Sequence, residues 1–216
     1  MIPEKENNRE RILKAAEKIF AEKGYDASRI DEIAANAGVN KALIYYYFQS
    51  KYSLLEELFR RFFQESAAML VSYVQHGGLD STPSKKADQI FDTYFSYFEE
   101  KRDLLRIMLV ESLKTGGDAP PIFKLVDFED LVDEATIRSI LDSGHYPSNN
   151  MDLRLVAEFF TGVIPMLCYV LFQDHWCRYF NVSRAQLRSY FNQAMKLTHE
   201  AYHRAMRDQL SGESPR

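Results

Sequence analysis

Apolar residues recur every three or four positions along most of this 216-residue chain, which is the spacing of amphipathic helices. No segment alternates apolar and polar residues in the way that a half-buried strand does. Breaks rich in glycine, proline and small polar residues separate the helical stretches. Beyond residue 50 we expect helices at about Ser50–Val74, Ser84–Glu100, Lys101–Lys114, Ile122–Asp142, Met151–Tyr179 and Ser183–Leu210. The pattern predicts an all-α protein.

Residues 28–51, SRIDEIAANAGVNKALIYYYFQSK, predict two short helices joined by a tight turn. Ser28 is a good cap for the first helix, and Asp31 follows it at capping-box spacing. Gly38 falls where a helix ends in the left-handed conformation, which glycine adopts without penalty. Asn40 is a good cap for the second helix. This order of signals is typical of a helix-turn-helix unit.

The second short helix has an unusual outer face. If Ile44 points inward, Phe48 lies only about 40° away and is also buried, at 100° per residue. A soluble helix gains nothing by exposing the leucine and tyrosines that remain. In a DNA major groove a small side chain permits close approach, an apolar one meets a thymine methyl, and phenol hydroxyls reach phosphates. The residues that point outward are Ala42, Leu43, Tyr45 and Tyr46.

The next helix adds a cation to this unit. Ser50 is expected to cap it, and Lys51 then lies in its first turn beside backbone amides that favour a phosphate. We therefore expect a double-stranded DNA partner and a DNA-binding surface made by these residues and their neighbours. The candidate DNA-binding residues are Ser28, Arg29, Asn40, Lys41, Ala42, Leu43, Tyr45, Tyr46, Tyr47 and Lys51.

Residues 9–58 resemble the DNA-binding head of the tetracycline-repressor (TetR) family in a gap-free register. The matching positions are Phe20, Gly24, Tyr25, Ser28, Ile33, Ala34, Ala37, Gly38, Val39, Asn40, Lys41, Ala42, Ile44, Tyr45, Tyr47, Phe48, Ser50, Lys51 and Leu54. Departures are Ser28 for threonine, Asn40 for serine, Ala42 for glycine, and Leu43 where a small or polar residue is common. The last two change which bases are read. The resemblance implies a homodimeric repressor that a small apolar or amphipathic molecule releases from a palindromic operator.

Two domains are expected: a helix-turn-helix head over residues 1–55 and a larger helical body over residues 56–216 for ligand binding and dimerisation. A body of this size, dense in Phe, Tyr and Met, favours a small-molecule effector. A regulator without a small-molecule inducer, controlled by a protein or constitutive, stays open. From periodicity, the candidate pocket residues are Phe91, Tyr94, Phe95, Met108, Phe159, Met166 and Tyr169.

The last two predicted helices carry an assembly signal. The first is apolar nearly all round from Phe159 to Phe172, and the second repeats small and apolar residues at alternating spacings of four and three, as in helix-bundle seams. One monomeric core is the simpler interpretation; a homodimer built from this helix pair is the one we favour. The candidate interface residues are Phe160, Leu167, Leu187, Phe191, Ala194, Thr198, Ala201 and Ala205.

Charge supports two heads acting together. The net charge is −4, and residues 1–60 carry ten Lys/Arg and ten Asp/Glu, so the head has no overall positive charge. DNA affinity then depends on the local placement of Arg29, Lys41 and Lys51. Such a head needs a second half-site for tight binding.

Other chemistry is not indicated. His199 and His203 are four residues apart with Glu200 nearby, but two ligands rarely make a metal site, so solvent-exposed histidines and no metal or cofactor are expected. The sequence has no phosphate-binding loop, nucleophile elbow or zinc motif that would point to an enzyme. An enzymatic activity in the helical body is the alternative function from a different class.

Several features predict a cytoplasmic protein that does not enter a membrane. The start of the chain has no apolar signal segment. The fourteen-residue apolar run Phe159–Phe172 is too short to span a bilayer and is expected to be a buried helix. Cys168 and Cys177 are spaced so that a disulfide within one helix is unfavourable, which fits a reducing compartment.

Overall fold

The computed structural model describes residues 4–76, 85–114, 120–126, 151–203 and 205. Every regular element in these ranges is helical, which confirms the all-α prediction. In chain order the elements are α1 (Glu4–Lys23), α2 (Ile30–Ala37), α3 (Lys41–Tyr47), α4 (Lys51–Gln75), α5 (Lys85–Glu100), α6 (Arg102–Lys114), a 3-10 helix (Pro121–Leu125), α7 (Met151–Ala157), a π-helical segment (Glu158–Val163), α8 (Ile164–Phe180) and α9 (Arg184–Leu197).

Most helix boundaries follow the capping signals. The Oγ of Ser50 accepts the Ser53 N–H at 3.0 Å, which confirms the predicted cap of α4. The last helix was expected to be continuous to residue 210, but it is interrupted at Thr198, where φ is −114° and ψ is −82°. Residues 199–203 are helical again. Of the helix predicted over 122–142, the described part is a 3-10 turn, and the rest lies outside the described residues.

The chain divides into two compact units. The first runs to Phe63 and also contains α6 from Asp103, whereas the second contains Gln64–Arg102 and the chain from Ile122 onward. The expected boundary after residue 55 therefore differs from this division, because α4 is one continuous helix that contributes to both units. Helix α6 groups with the head: the Arg106 guanidinium donates to the carbonyl of Ala21 at 2.6 Å.

An ion cluster joins α1 to α4 in the head. Glu57 accepts hydrogen bonds from Arg9 at 2.6 Å, from Arg60 at 2.7 Å and from Arg61 at 3.0 Å, and Arg61 also makes a bidentate pair with Glu10. Hydrogen bonding from Arg60 first, then from Arg9 and Arg61, outweighs burial and lowers the pKa of Glu57 from 4.5 to about 2. The cluster fixes α1 against the first turns of α4.

The body unit has an aromatic cluster in its core. Phe95 of α5 lies 5.1 Å from Tyr169 of α8 between ring centroids, and Phe191 of α9 lies 4.5 Å from the same tyrosine. The guanidinium carbon of Arg188 is 3.4 Å from the Phe95 ring centroid. These contacts bind α5, α8 and α9 to one another through aromatic and cation–π packing.

Residues 152–180 form one continuous apolar helical stretch, which is longer than the expected fourteen-residue run. It is long and apolar enough to cross a membrane, a test that core helices of soluble proteins also pass. Only 28% of the most apolar 18-residue segment of this stretch is buried, so the expectation of a buried helix is wrong for a single copy of the chain. Its large exposed side chains are Leu153, Val156, Phe160, Phe172, Trp176, Tyr179 and Phe180.

The π-helical segment has a local cause. Pro165 has no N–H to donate to the preceding helical turn, and a missing donor favours a local change of helix type. The hydroxyl of Thr161 donates to the Ala157 carbonyl at 2.7 Å, which occupies another backbone acceptor in this region. The segment turns Glu158 into the body unit, where its side chain is only 18% exposed.

Candidate nucleic-acid interface

The first of the two short helices, α2, begins one residue later than expected. Arg29 is its N-cap, with extended backbone, and the Glu32 carboxylate accepts the Arg29 N–H at 3.3 Å. Ser28 is only 4% exposed, and its hydroxyl donates to the Tyr25 carbonyl at 2.6 Å. The prediction that Ser28 and Asp31 form a capping box is therefore wrong, because the Ser28 hydroxyl is bonded to the preceding loop. Arg29 is exposed, whereas Ser28 is buried.

The turn after α2 has the predicted glycine geometry. Gly38 adopts φ 64° and ψ 38°, the left-handed conformation. The Val39 N–H donates to the Ala34 carbonyl at 3.0 Å, which ends the helix in the expected way. Arg11 of α1 donates to the carbonyl of Ala37 at 2.6 Å and to that of Gly38 at 3.2 Å. This arginine, which the motif did not reveal, fixes the end of α2.

The second short helix, α3, begins where the sequence predicts. The Oδ1 of Asn40 accepts the Leu43 N–H at 2.8 Å, so the Asn40 cap is confirmed and its side chain is occupied. Ile44 is fully buried and Phe48 is 4% exposed. The inward direction chosen from periodicity is therefore right, and it determines which residues of α3 lie on the outside.

The outer face of α3 consists of Lys41, Ala42, Tyr45 and Tyr46, all of them exposed. Tyr46 is 67% exposed. Leu43 and Tyr47 are half-buried at the edge of this face, and the Tyr47 ring lies 5.2 Å from that of Tyr46 between centroids. A methyl group, two phenols and an ammonium on one face offer close approach, hydrogen bonding and charge to a duplex.

Lys41 has a partner that it can exchange. Its Nζ lies 2.9 Å from Asp31 Oδ1, with both side chains at least half exposed. The hydrogen bond to Asp31 raises the pKa of Lys41. Water screens an exposed ion pair of this kind, so it adds little to stability. The ammonium can therefore move to a phosphate at little cost.

Lys51 is placed differently from the expectation. Its Nζ donates to the carbonyls of Tyr25 at 2.7 Å, Ser28 at 3.0 Å and Asp26 at 3.3 Å. The ammonium also lies 4.4 Å from the Tyr25 ring centroid. Three donors thus meet three backbone acceptors of the loop between α1 and α2. This arrangement favours a structural role for Lys51 and leaves no donor of the ammonium for a phosphate.

The head and body together define a helix-turn-helix DNA-binding protein. Residues 12–58 match the family model described as bacterial regulatory proteins, tetR family. The chain is 29% identical over 164 residues to the HTH-type transcriptional regulator YdgC of Bacillus subtilis (strain 168), covering 74% of this chain and 78% of YdgC. It is 27% identical over 170 residues to the HTH-type transcriptional repressor NicS of Pseudomonas putida, covering 76% and 75%.

A solved structure shows the same fold. The transcriptional regulator FadR from Bacillus subtilis, in complex with stearoyl-CoA, matches with a TM-score of 0.55 and 20% identity over 88% of this chain and 97% of FadR. The resemblance in sequence of the head is thus accompanied by a likeness in fold along most of the chain. Residues 12–58 thus have the DNA-binding domain described for tetR-family regulators, and the protein is a DNA-binding transcriptional regulator.

Proposed function

We propose that this protein is a homodimeric repressor that binds an inverted-repeat operator through two copies of α3. The observation that carries the proposal is the exposed face of Lys41, Ala42, Tyr45 and Tyr46 on a helix whose cap and inner face are fixed by the protein. The repressor NicS, similar over three quarters of the chain, supports the direction of regulation.

Each residue of this face has a definite task in the proposal. Ala42 allows the helix to approach base edges, and Leu43 at its border meets a thymine methyl. The phenols of Tyr45 and Tyr46 and the Lys41 ammonium bind phosphates, which position the helix without reading sequence. Arg29, exposed at the start of α2, adds a further phosphate contact.

Sequencing genomic fragments retained by the purified protein tests this proposal. We expect enrichment of inverted repeats whose half-sites are separated by about one helical turn or a multiple of it. Retention of fragments without a shared motif, in amounts that follow only fragment length, would contradict sequence-specific binding.

The proposed dimer uses the exposed apolar side chains of α8 and α9. Leu197 is 80% exposed, and Phe172, Trp176 and Tyr190 are each about half exposed or more. Apolar surface of this extent on a helix pair is typical of a protein interface. Two copies of the pair would cover it as a four-helix bundle.

The predicted interface residues differ in how exposed their side chains are. Phe160, Ala194, Thr198 and Ala205 are exposed, while Leu187 and Ala201 are half-buried. Leu167 is only 2% exposed and packs inside its own chain, so we leave it out of the proposed interface. Phe191 packs on Phe95 and Tyr169, so its main role is also within the chain. The proposed interface adds Trp176, Tyr190 and Leu197, which are exposed and lie outside the seam that the sequence predicts.

Leu197→Arg tests the dimer. The change places a charge in the proposed interface, where an unpaired buried charge costs several kcal/mol, about 3–5. Sedimentation should show a dimer for the parent and a monomer for the variant. Leu113→Arg is a matched control, because Leu113 is 79% exposed but lies on α6 of the head unit. A monomeric parent, or a variant that stays dimeric, would contradict this interface.

We infer an amphipathic effector with an apolar chain or ring, bound in the body unit. Of the predicted pocket residues, Phe95 and Tyr169 pack together, and Tyr94, Phe159 and Met166 are part-buried in the same unit. Met108 is buried on α6, which groups with the head, and the side chain of Phe91 lies outside the described residues. The structural relative FadR in complex with stearoyl-CoA supports an effector with a long acyl chain.

Release requires that the effector bind one arrangement of the protein more tightly than the other. Helix α4 is the proposed transmitter, since it holds the head loop through Lys51 and continues into the body unit. A screen of fatty acids and their coenzyme A thioesters should find compounds that raise the melting temperature and release operator DNA. Compounds that do neither would favour the alternative of a regulator without a small-molecule inducer.

A further inference from the structure

A cluster of three potential ligands lies in the body unit, away from the DNA-binding face. It consists of Glu158 in the π-helical segment and His199 and His203 in the helical turn after the break at Thr198. The prediction of solvent-exposed histidines is wrong, because the His203 side chain is 6% exposed and that of His199 is 19% exposed. Glu158, not Glu200, is the acidic neighbour, and it is 41 residues or more away along the chain.

The three ligand atoms converge at metal-site spacing. His203 Nε2 lies 3.2 Å from Glu158 Oε1 and 3.2 Å from His199 Nε2, and His199 Nε2 lies 3.6 Å from Glu158 Oε2. Ligands bound at about 2.0–2.1 Å in a tetrahedral zinc site are separated from one another by about 3.3 Å. Small shifts would therefore place all three atoms around one ion.

A hydrogen-bond chain fixes the imidazole of His199 for this role. The Thr161 hydroxyl donates to the Ala157 carbonyl at 2.7 Å, so its oxygen accepts from His199 Nδ1 at 3.0 Å. A neutral His199 then carries its proton on Nδ1 and presents the Nε2 lone pair to Glu158 and His203. Metal-binding histidines are held by such a bond from the other ring nitrogen.

Two further observations indicate a built site. Glu158 Oε1 is inaccessible to solvent and has no well-aligned hydrogen-bond donor, although His203 Nε2 is close. Gly162 leaves room for the imidazole, because a Cβ at this position would lie 2.8 Å from His199 Cε1. A buried carboxylate oxygen without a good donor is costly unless a cation neutralises it.

We propose that Glu158, His199 and His203 bind one divalent transition-metal ion, most favourably Zn²⁺. Two imidazoles and a carboxylate suit zinc with a fourth position open to water or an effector, and they also suit Co²⁺ or Ni²⁺. Binding through Nε2 requires the neutral tautomer of His203 with its proton on Nδ1, so that the Nε2 lone pair faces the ion. The positive charge of Arg154, which also acts on Glu158, opposes a cation and limits the affinity. The ion would join the π-helical segment to the helical turn beyond Thr198.

Metal titration of the full-length, tag-free protein after chelator treatment tests the proposal. Zn²⁺ is followed by competition with a chromophoric chelator, and Co²⁺ by its visible absorption. We expect one ion per chain with micromolar or tighter affinity. His199→Ala, His203→Ala and Glu158→Gln should each weaken binding by about 100-fold or more, while Thr161→Val should weaken it by about 10–100-fold through loss of the bond that orients His199. His175→Ala, at an exposed position, is the control.

The outcomes are distinct. No bound ion in the parent at micromolar protein and metal would overturn the proposal, as would site variants that bind like the parent. A Co²⁺ spectrum with intense thiolate charge-transfer bands would assign binding to Cys168 or Cys177 instead. Because His203→Ala removes a buried side chain, each variant is first melted in chelator. If it unfolds, Glu158→Gln and Thr161→Val decide, since they change shape little.

Discussion

Replacing Lys51 with alanine distinguishes a structural lysine from a phosphate ligand. The change removes three charge-assisted bonds to the carbonyls of Tyr25, Asp26 and Ser28 and the contact with the Tyr25 ring. Bonds that involve a charged group contribute about 1.5–3 kcal/mol each, but water reaches part of this loop in the variant. We therefore expect a loss of about 2–4 kcal/mol in the free energy of unfolding, or roughly 5–10 °C in melting temperature.

The assay combines thermal unfolding with operator binding at several salt concentrations, below the melting temperature of the variant. For Lys51→Ala the affinity should fall with partial unfolding, and the slope of log affinity against log salt should not change. Lys41→Ala is the matched comparison: it should melt like the parent and flatten the slope by about 0.9 per head, since one phosphate contact is lost. If Lys51→Ala melts like the parent and flattens the slope instead, the structural role assigned to Lys51 is wrong.

Two further predictions concern the head. Glu57→Gln should lower the free energy of unfolding near neutral pH by roughly 2–3 kcal/mol, because the lowered pKa of Glu57 stabilises the fold. This stabilisation is complete above the usual pKa of 4.5 and is lost as pH falls through about 2, so the stability of the variant should depend less on pH in acid. Glu56→Gln, at an exposed neighbour, should unfold like the parent. Gly38→Ala should lower the free energy of unfolding by about 2 kcal/mol, more than Gly24→Ala. Both glycines have positive φ, but only a Cβ at position 38 would lie 2.7 Å from Arg11 Nη2. Equal melting temperatures for the two variants would count against the role of Arg11.

Local signals made the core of the head predictable. Gly38, Asn40, Ile44 and Phe48 are all determined by neighbours within a few residues, through backbone conformation, capping or helical periodicity. The exposed face of α3 follows from the same periodicity, because burial of Ile44 leaves the opposite side outside. The resemblance to a known family added the function that these local rules do not contain.

Contacts between distant residues were not predictable in the same way. Lys51 finds its acceptors 23–26 residues back in the chain, so its position in the motif did not reveal its role. Arg9 and Glu57 are 48 residues apart, and no local pattern links them. The third potential ligand of His199 and His203 comes from a π-helical segment near Pro165, a change of helix type that periodicity does not reveal.

Operator binding by Ala42→Asp tests most directly whether the exposed face of α3 reads DNA. Ala42 is exposed in the first turn of α3, where a carboxylate is favourable for the helix, so the fold should be retained. The new charge would meet phosphates and base edges. We expect an unchanged melting temperature and a loss of operator affinity of about 100-fold or more, which corresponds to roughly 3 kcal/mol. Ala68→Asp, the same change at an exposed position of α4, should bind like the parent. Parent-like operator binding by Ala42→Asp would contradict the account.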